Sequence, residues 1–135
     1  MAKTILLGKR RRIIAMDSAS FMEECYQGDI IVCGSHGGAS AAKHMLKFSP
    51  GGAIFNDAGK GKEDAGMAAL AVFSEAGLPA ATVDAFSARI GDGMDTYDSG
   101  VISAVNQEAA ACGVRVSSLA REAALKILER KEQGQ

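Results

Sequence analysis

The segment DIIVCGSHGGASAAKHMLKFSPGGAIFND (29–57) contains a complete strand–helix–strand pattern. Its two ends, DIIVCG (29–34) and GAIFND (52–57), are short apolar runs that do not alternate with polar residues. Strands of this kind are covered on both faces, which is typical of a parallel sheet. The stretch 39–49 predicts the connecting helix, which ends before Pro50 because proline cannot continue it. The segment therefore predicts an α/β fold.

The same pattern recurs along the chain. RIIAMD (12–17) and PAATVD (79–84) predict two more buried strands, and GVRV (113–116) is a weaker fifth candidate. Further helices are predicted at 20–28, 62–77, 98–113 and about 118–131. We therefore expect a single domain over residues 1–135. Its expected fold is a three-layer α/β/α sandwich around a mostly parallel sheet of about four or five strands, Rossmann-like or flavodoxin-like.

The N-terminal segment TILLGKRRRIIAM (4–16) has the pattern of an antiparallel hairpin. Residues 4–7 would then lie beside the 12–17 strand and occupy one of its flanks, which leaves the strand order open. The basic run GKRRR (8–12) predicts a solvated hairpin tip in preference to a phosphate-binding patch.

Composition excludes several classes of function. A formal net charge of −1 over 135 residues argues against a nucleic-acid-binding surface. The apolar runs are too short to span a membrane and no secretory signal is recognisable, so we expect a cytoplasmic protein. The three cysteines are widely spaced, which fits neither a disulfide framework nor a paired metal motif, and Cys33 and Cys112 are predicted core residues.

Polar residues concentrate directly after the predicted strands. These segments are DSAS (17–20), GSHGG (34–38), NDAGKGK (56–62) and DAFSARIGDG (84–93). The segments before the strands carry almost no reactive side chains. Because ligands of open α/β sheets bind beyond the carboxyl ends of the strands, we predict a binding site at this edge of the sheet, called here the carboxyl rim.

The GSHGG segment is predicted to lead from a strand into a helix. There the amides of Gly37 and Gly38 would face an anion that the helix dipole favours. Ser35 is a candidate donor, and His36 is a candidate acid or base because imidazole titrates near neutral pH. A direct Ser35–His36 nucleophile pair is disfavoured, since neighbouring strand residues point to opposite sides. An ordinary glycine turn is the alternative.

The stretch VCGSHGG (32–38) resembles the GSHG phosphate loop of universal-stress-type nucleotide-binding proteins. In that family the loop comes late in the chain and leads into a longer glycine pattern ending in Ser or Thr. Here it follows the second predicted buried strand, so the family's ATP site is not carried over to this chain.

The NDAGKGK segment offers a second group of candidates. Asp57 is predicted to orient His36 or to bind the ligand, and the lysines are predicted to pair with a carboxylate or phosphate. The candidate ligand contacts here are Asn56, Asp57, Gly59, Lys60 and Lys62. Solvated loop lysines are an equally good interpretation. Glu63 follows Lys62, so the spacing of a nucleoside-triphosphate phosphate loop is absent.

The long DAFSARIGDG connection is typical of a binding loop or lid. Arg89 offers a two-point fork for a carboxylate or phosphate. Asp84 and Ser87 are further candidate contacts, and so is Asp92, for which a simple G-D-G turn is the alternative. No cofactor is expected. A divalent metal held by the three predicted strand-end aspartates, Asp17, Asp57 and Asp84, is a minority alternative.

Together these residues predict a small enzyme that binds an anionic metabolite at the carboxyl rim and uses His36 for acid–base chemistry, with Ser35 and Asp57 in support. Hydrolase, lyase and isomerase chemistry all remain open, whereas the missing G-x-G-x-x-G pattern argues against a dinucleotide-dependent oxidoreductase. The alternative is a non-catalytic ligand-binding or regulatory module, or a subunit of a larger complex, that uses the same rim. The alanine-rich stretches 64–72 and 104–112 also leave a homo-oligomer open.

Overall fold

The computed structural model describes residues 2–59 and 66–134, which form a mixed α/β fold. Its strands are β1 (Ala2–Leu7), β2 (Arg12–Met16), β3 (Ile30–His36), β4 (Gly52–Asn56), β5 (Ala80–Val83) and β6 (Ile102–Val105). Its α-helices are α1 (Ala39–Leu46), α2 (Ala68–Glu75), α3 (Gly93–Ser99), α4 (Gln107–Ala111) and α5 (Ala120–Gln133). No helix in these two ranges is long and apolar enough to cross a membrane.

The strands form one mixed sheet. β2, β3, β4 and β5 are parallel, as the apolar runs predicted. β1 pairs antiparallel with β2, which confirms the N-terminal hairpin, and β6 pairs antiparallel with β5. The expected mostly parallel sheet of four or five strands is therefore corrected to a six-stranded mixed sheet with an antiparallel strand at each edge.

The strand order is consecutive, from β1 to β6. Rossmann and flavodoxin-like sheets differ in this respect, because their strand order reverses and the ligand binds at the point of reversal. Here the connections after β2, β3 and β4 all contribute to the same core, through Ala19, Met45 and Phe73. The described sheet therefore has no switch-point crevice, and a ligand site has to be built from the rim itself.

Alternate residues of the buried strands supply two cores. Ile14 and Ile31 point into the core that is shared with α1, α2 and two single-turn 3-10 helices, Ala19–Phe21 and Glu24–Tyr26. Ile13 and Ile30 point to the opposite core, which α4 and α5 cover. All four isoleucines are fully buried, and each contributes about 2 kcal/mol by leaving water. Covering both faces in this way explains why the strands lack polar alternation.

The prediction of a single helix over residues 98–113 is wrong. α3 ends before Gly100, β6 follows, and α4 begins after Asn106, whose side chain accepts a hydrogen bond from Ala109 N. A Cβ at Gly100 would collide with the Thr96 carbonyl and the Val83 side chain, so this glycine permits the close approach of α3 to β5. The apolar run 101–105 is compatible with either a helix or a strand. It forms a strand because its residues pair with β5.

Other boundaries also change. The fifth strand candidate, 113–116, lies outside the sheet, and the predicted helix 20–28 is replaced by the two 3-10 turns. The predicted helix 39–49 is shortened to α1, and the described part of helix 62–77 is α2. The final helix is confirmed as α5.

The predicted hairpin tip is held by the end of α5. Glu132 accepts hydrogen bonds from the backbone N–H groups of Lys9, Arg10 and Arg11 at 3.1 to 3.2 Å. These bonds, above all that from Arg10, lower the pKa of Glu132. The backbone of the basic run therefore binds an internal carboxylate, whereas the side chains of Lys9 and Arg10 remain exposed.

Candidate functional site

The parallel strands bring the four predicted polar segments to the carboxyl rim. The rim has two halves that differ in structure. The β2/β3 half comprises residues 17–20 and 34–38, and the described part of the β4/β5 half comprises residues 56–59 and 84–93. Lys60 and Lys62 lie outside the described residues.

A pocket of about 370 Å³ opens at the β2/β3 half. We call it the serine–histidine pocket, because four serines and two histidines provide its polar lining. It is lined by Ser18, Ala19, Ser20, Ser35, His36, Ser40, Ala41 and His44. The lining contains no Asp, Glu, Lys or Arg among the residues that the structure describes.

Ser35 and His36 were predicted for the site, whereas Ser40 and His44 were missed. The sequence carried a signal for them, because Ser40 and His44 are four residues apart on α1 and therefore share a face of that helix. That face adjoins His36 at the end of β3 only once α1 folds back onto the sheet.

The first turn of α1 borders this pocket through Ser40 and Ala41. Gly38 is the N-cap residue and supplies no side-chain cap, so the N–H groups of the first turn are left for other partners. The N-terminal end of a helix favours an anion. Gly37, also predicted as an amide donor, is used by the fold, since its N–H donates to the Asn56 carbonyl oxygen at 2.8 Å.

Ser35 is half-buried, and its Oγ accepts a hydrogen bond from Ala19 N at 2.8 Å. This bond ties the first 3-10 turn to the end of β3 and fixes one wall of the pocket. Ser35 and His36 form no hydrogen bond with each other in the described structure. The geometry therefore offers no support for a Ser35–His36 nucleophile pair.

His36 is exposed, and its ring folds back over the next turn. A Cβ at Gly38 would collide with Nε2 of the His36 ring, so glycine at this position permits the ring to lie there. Asp57, the predicted orienting group, accepts no hydrogen bond from His36 among the described contacts. The ring position is therefore set by the backbone of the turn.

His44 lies one turn further along α1 and is half-buried. Its ring packs edge-on against Phe48, with 5.6 Å between the ring centroids. Its Nε2 is buried and has no hydrogen-bond partner in the part of the chain that is described. Buried polar atoms in native proteins are nearly always paired with protein, water or ligand, so this unpaired nitrogen is unusual.

In the β4/β5 half, the predicted residues are committed to holding loops. Asn56 is fully buried, and its side chain accepts from Ala58 N at 2.8 Å and donates to the Ala88 carbonyl at 3.1 Å. Asp57 is 2% exposed. Its Oδ1 accepts from Gly59 N at 2.8 Å and from Ala85 N at 3.0 Å.

The 84–93 loop uses its own polar side chains in the same way. Asp84 accepts from Phe86 N at 2.7 Å, and Ser87 Oγ accepts from Val101 N at 2.9 Å. Asp92 caps α3 by accepting from Asp95 N at 2.9 Å, which agrees with the turn alternative for this residue.

Arg89 is exposed, and its backbone N–H donates to Asp95 at 2.7 Å. This hydrogen bond is the main reason why the pKa of Asp95 is lowered. The guanidinium of Arg89 makes no hydrogen bond to the described residues. It therefore keeps its capacity to bind an anion, although it does not line the serine–histidine pocket.

The three predicted strand-end aspartates have separate partners. Asp17 accepts from Gly93 N at 3.0 Å, while Asp57 and Asp84 bind the loop amides described above. Within residues 2–59 and 66–134, no group of three His, Cys, Asp or Glu side chains is placed to hold a metal ion. The geometry thus gives no support to the minority metal alternative.

The cysteines are free thiols. Cys33 is fully buried in the middle of β3, and burial raises its pKa to about 11. Burial also raises the pKa of Cys112, which is half-buried against the core that α4 and α5 cover. Both act as core residues, whereas Cys25 is exposed.

Comparisons with known protein families, curated proteins and solved structures find no match to this chain.

Proposed function

We propose that the protein is a small enzyme that binds an anionic metabolite, a carboxylate or a phosphate ester, in the serine–histidine pocket. His36 acts there as general acid or base. The observation that carries this proposal is that His36 and His44 line one pocket with four serine side chains at the start of α1. The proposed binding site therefore uses only the β2/β3 half of the predicted rim.

The chemistry of the pocket suits an anion. Serine hydroxyls and the first-turn amides of α1 donate hydrogen bonds, and the helix end adds a partial positive charge. No carboxylate among the described residues lines the pocket, so none would repel the ligand.

His36 is the proposed proton carrier because its ring is exposed at the pocket. Imidazole exchanges protons near neutral pH, and hydrolysis, elimination and isomerisation each require a positioned proton donor or acceptor. We also propose a cytoplasmic location, because the exposed thiol of Cys25 is free and free thiols persist in reducing compartments.

The test is a thermal-shift screen of small carboxylates and phosphate esters against the wild type and two variants. Ser40→Glu places a carboxylate in the pocket, and glutamate is well tolerated in the first turn of a helix. Lys43→Gln is the matched control, since it changes the net charge by the same amount at an exposed position of α1 outside the pocket. We expect ligands whose stabilising effect is lost in Ser40→Glu and kept in Lys43→Gln.

Turnover of each such ligand is then followed by proton NMR in the wild type and in His36→Gln. The proposal predicts conversion by the wild type and none by His36→Gln, with binding retained. A ligand that binds and is never converted would identify the alternative, a non-catalytic module. If every ligand stabilises Ser40→Glu as well as the wild type, the serine–histidine pocket is not the site.

A further inference from the structure

The two edges of the sheet differ in how they are protected. At the β6 edge, Ile102 N donates to the Ser118 carbonyl and Ser117 N donates to the Ile102 carbonyl, each at 2.8 Å, so the segment 117–119 covers the start of that strand. β1 pairs with β2 on its inner side, and no described residue pairs with its outer side. Unpaired strand edges recruit other strands, and proteins usually blunt them with charge. Lys3 is the only charged residue on β1.

Exposed apolar side chains gather around this edge. Four of the seven large apolar residues exposed in the described structure belong to β1 or flank it: Leu6 (38%), Leu7 (72%), Phe21 (43%) and Leu125 (42%). Leu6 and Leu125 line a groove of about 430 Å³ between β1 and α5. Phe21 lines a second groove, of about 450 Å³, with Ala2 and Tyr26. A concentration of this kind marks an interaction surface.

The two grooves lie on opposite faces of the sheet. Leu128, in the first groove, belongs to the core that α4 and α5 cover, whereas Tyr26, in the second, packs against the core shared with α1 and α2. β1 is therefore uncovered along its outer edge and open on both faces, which leaves room for a strand together with the elements that flank it.

We propose that β1 is the interface for a second copy of this chain, which pairs antiparallel with it about a twofold axis perpendicular to the sheet. Twofold pairing places the same surface of both copies in contact, so the surface has to be self-complementary. A twofold axis in this direction keeps α5 of both copies on one face. The exposed Leu6 and Leu125 of both copies then lie on that face, and Phe21 of both copies lies on the other face.

Charge at the two ends of β1 favours this occupant. The tip that follows β1 carries the exposed side chains of Lys9 and Arg10. At the start of β1, the exposed Glu23 shares a groove with Ala2. Antiparallel pairing brings Lys9 and Arg10 of each copy towards the end of the other copy's β1, where Glu23 lies on one face of the sheet. One chain thus supplies both the basic side chains, Lys9 and Arg10, and the acidic side chain, Glu23, of such a contact.

The test is sedimentation velocity over a range of concentrations from low to high micromolar. It uses the wild type, Leu7→Glu, the double variant Lys9→Glu/Arg10→Glu, Glu23→Lys, and the combination of the last two. Lys47→Glu, an exposed position after α1 and away from both β1 grooves, is the control. Circular dichroism checks that each variant is folded, which is expected because the changed side chains are exposed.

We expect a wild-type dimer whose dissociation constant rises by about tenfold or more in Leu7→Glu and in each charge reversal. The combined charge reversal restores the dimer, and Lys47→Glu leaves it unchanged. A protein that is monomeric at every concentration overturns the proposal. So does a dimer that is indifferent to Leu7→Glu and to the charge reversals, since it would use another surface.

Discussion

The two halves of the carboxyl rim begin from the same sequence pattern and differ in what the fold does with it. In both, polar side chains directly follow buried parallel strands. In the β4/β5 half, Asn56 and Asp57 are buried and bind loop amides. In the β2/β3 half, His36 is exposed at a pocket and Nε2 of His44 has no described partner. A polar residue at the end of a strand is therefore only a candidate for a binding site. The candidates that lie beside a pocket and form no hydrogen bond within the described part of the protein differ from those whose hydrogen bonds hold the loops.

The cause of the difference is the route of the 84–93 loop. After β5 the chain crosses the sheet to the ends of β3 and β2, where Gly91 N donates to the Gly34 carbonyl at 2.7 Å and Gly93 donates to Asp17. A loop that runs over a strand end buries backbone groups, which need partners. Asn56 and Asp57, at the end of β4, supply most of them, and Asp17, after β2, supplies the partner of Gly93 N.

The largest effect on stability is expected for Asn56→Ala. The variant leaves the Ala88 carbonyl buried without its partner and removes the bond to Ala58 N, so the free energy of unfolding should fall by about 2 kcal/mol. Urea unfolding monitored by circular dichroism measures this loss. If Asn56→Ala leaves the free energy of unfolding almost unchanged, the hydrogen bonds of Asn56 do not hold the loop. The two halves of the rim would then not differ in this respect.

Asp57 allows a finer version of the same test. Asp57→Ala removes the acceptor for Gly59 N and Ala85 N, and we expect it to lower the free energy of unfolding by about 1 kcal/mol. Asp57→Asn keeps an oxygen at that position and should cost about half as much. Urea unfolding of both variants gives the comparison. If Asp57→Asn is as stable as the wild type but loses a pocket ligand, Asp57 belongs to the binding site as first predicted.

In the β2/β3 half, substitutions should leave the free energy of unfolding almost unchanged. His36→Gln and Ser40→Ala alter exposed side chains, so each should change the free energy of unfolding by less than about 0.5 kcal/mol. Urea unfolding provides the values, and ligand binding or turnover is the property that should change. Marked destabilisation by His36→Gln would show that its ring supports the turn, in which case the two halves are alike.

The smallest effect concerns Asp95, which holds the backbone of Arg89 in the 84–93 loop. Its pKa in the folded protein is lowered from the ordinary value of 3.8, so its contribution to stability is complete above that pH. The contribution is lost as the pH falls further, through the lowered pKa. Unfolding of the wild type and Asp95→Asn, compared at pH 6 and pH 2.5, should therefore show a difference that shrinks in acid. A difference independent of pH would mean that the carboxylate charge does not hold the loop.

The sequence predicted the buried parallel strands, the antiparallel N-terminal hairpin and the location of the polar segments. Each of these follows from a local pattern: unbroken apolar runs for β2 to β5, and a basic turn between two apolar runs for the hairpin. β6 was missed because VISAV (101–105) suits either periodicity, and the consecutive strand order was missed because no short segment encodes which neighbour a strand chooses.

Among the candidate site residues, Ser35 and His36 are brought together at the serine–histidine pocket, which His44 also lines. Asn56, Ser87 and Asp92 carry the same residue types that bind ligands elsewhere, yet they hold loops here. Their roles depend on which backbone groups the 84–93 loop buries, and that is set by its path across the sheet.

The amino-acid sequence by itself thus determined which strands are buried and that polar chemistry collects at one rim, because burial and turn formation depend on neighbouring residues. The tertiary structure decided which polar side chains form hydrogen bonds within the protein and which remain able to bind a ligand. That choice joins segments as distant as Asn56 and Ala88, and a hydrogen bond between them exists only after the loop has crossed the strand end.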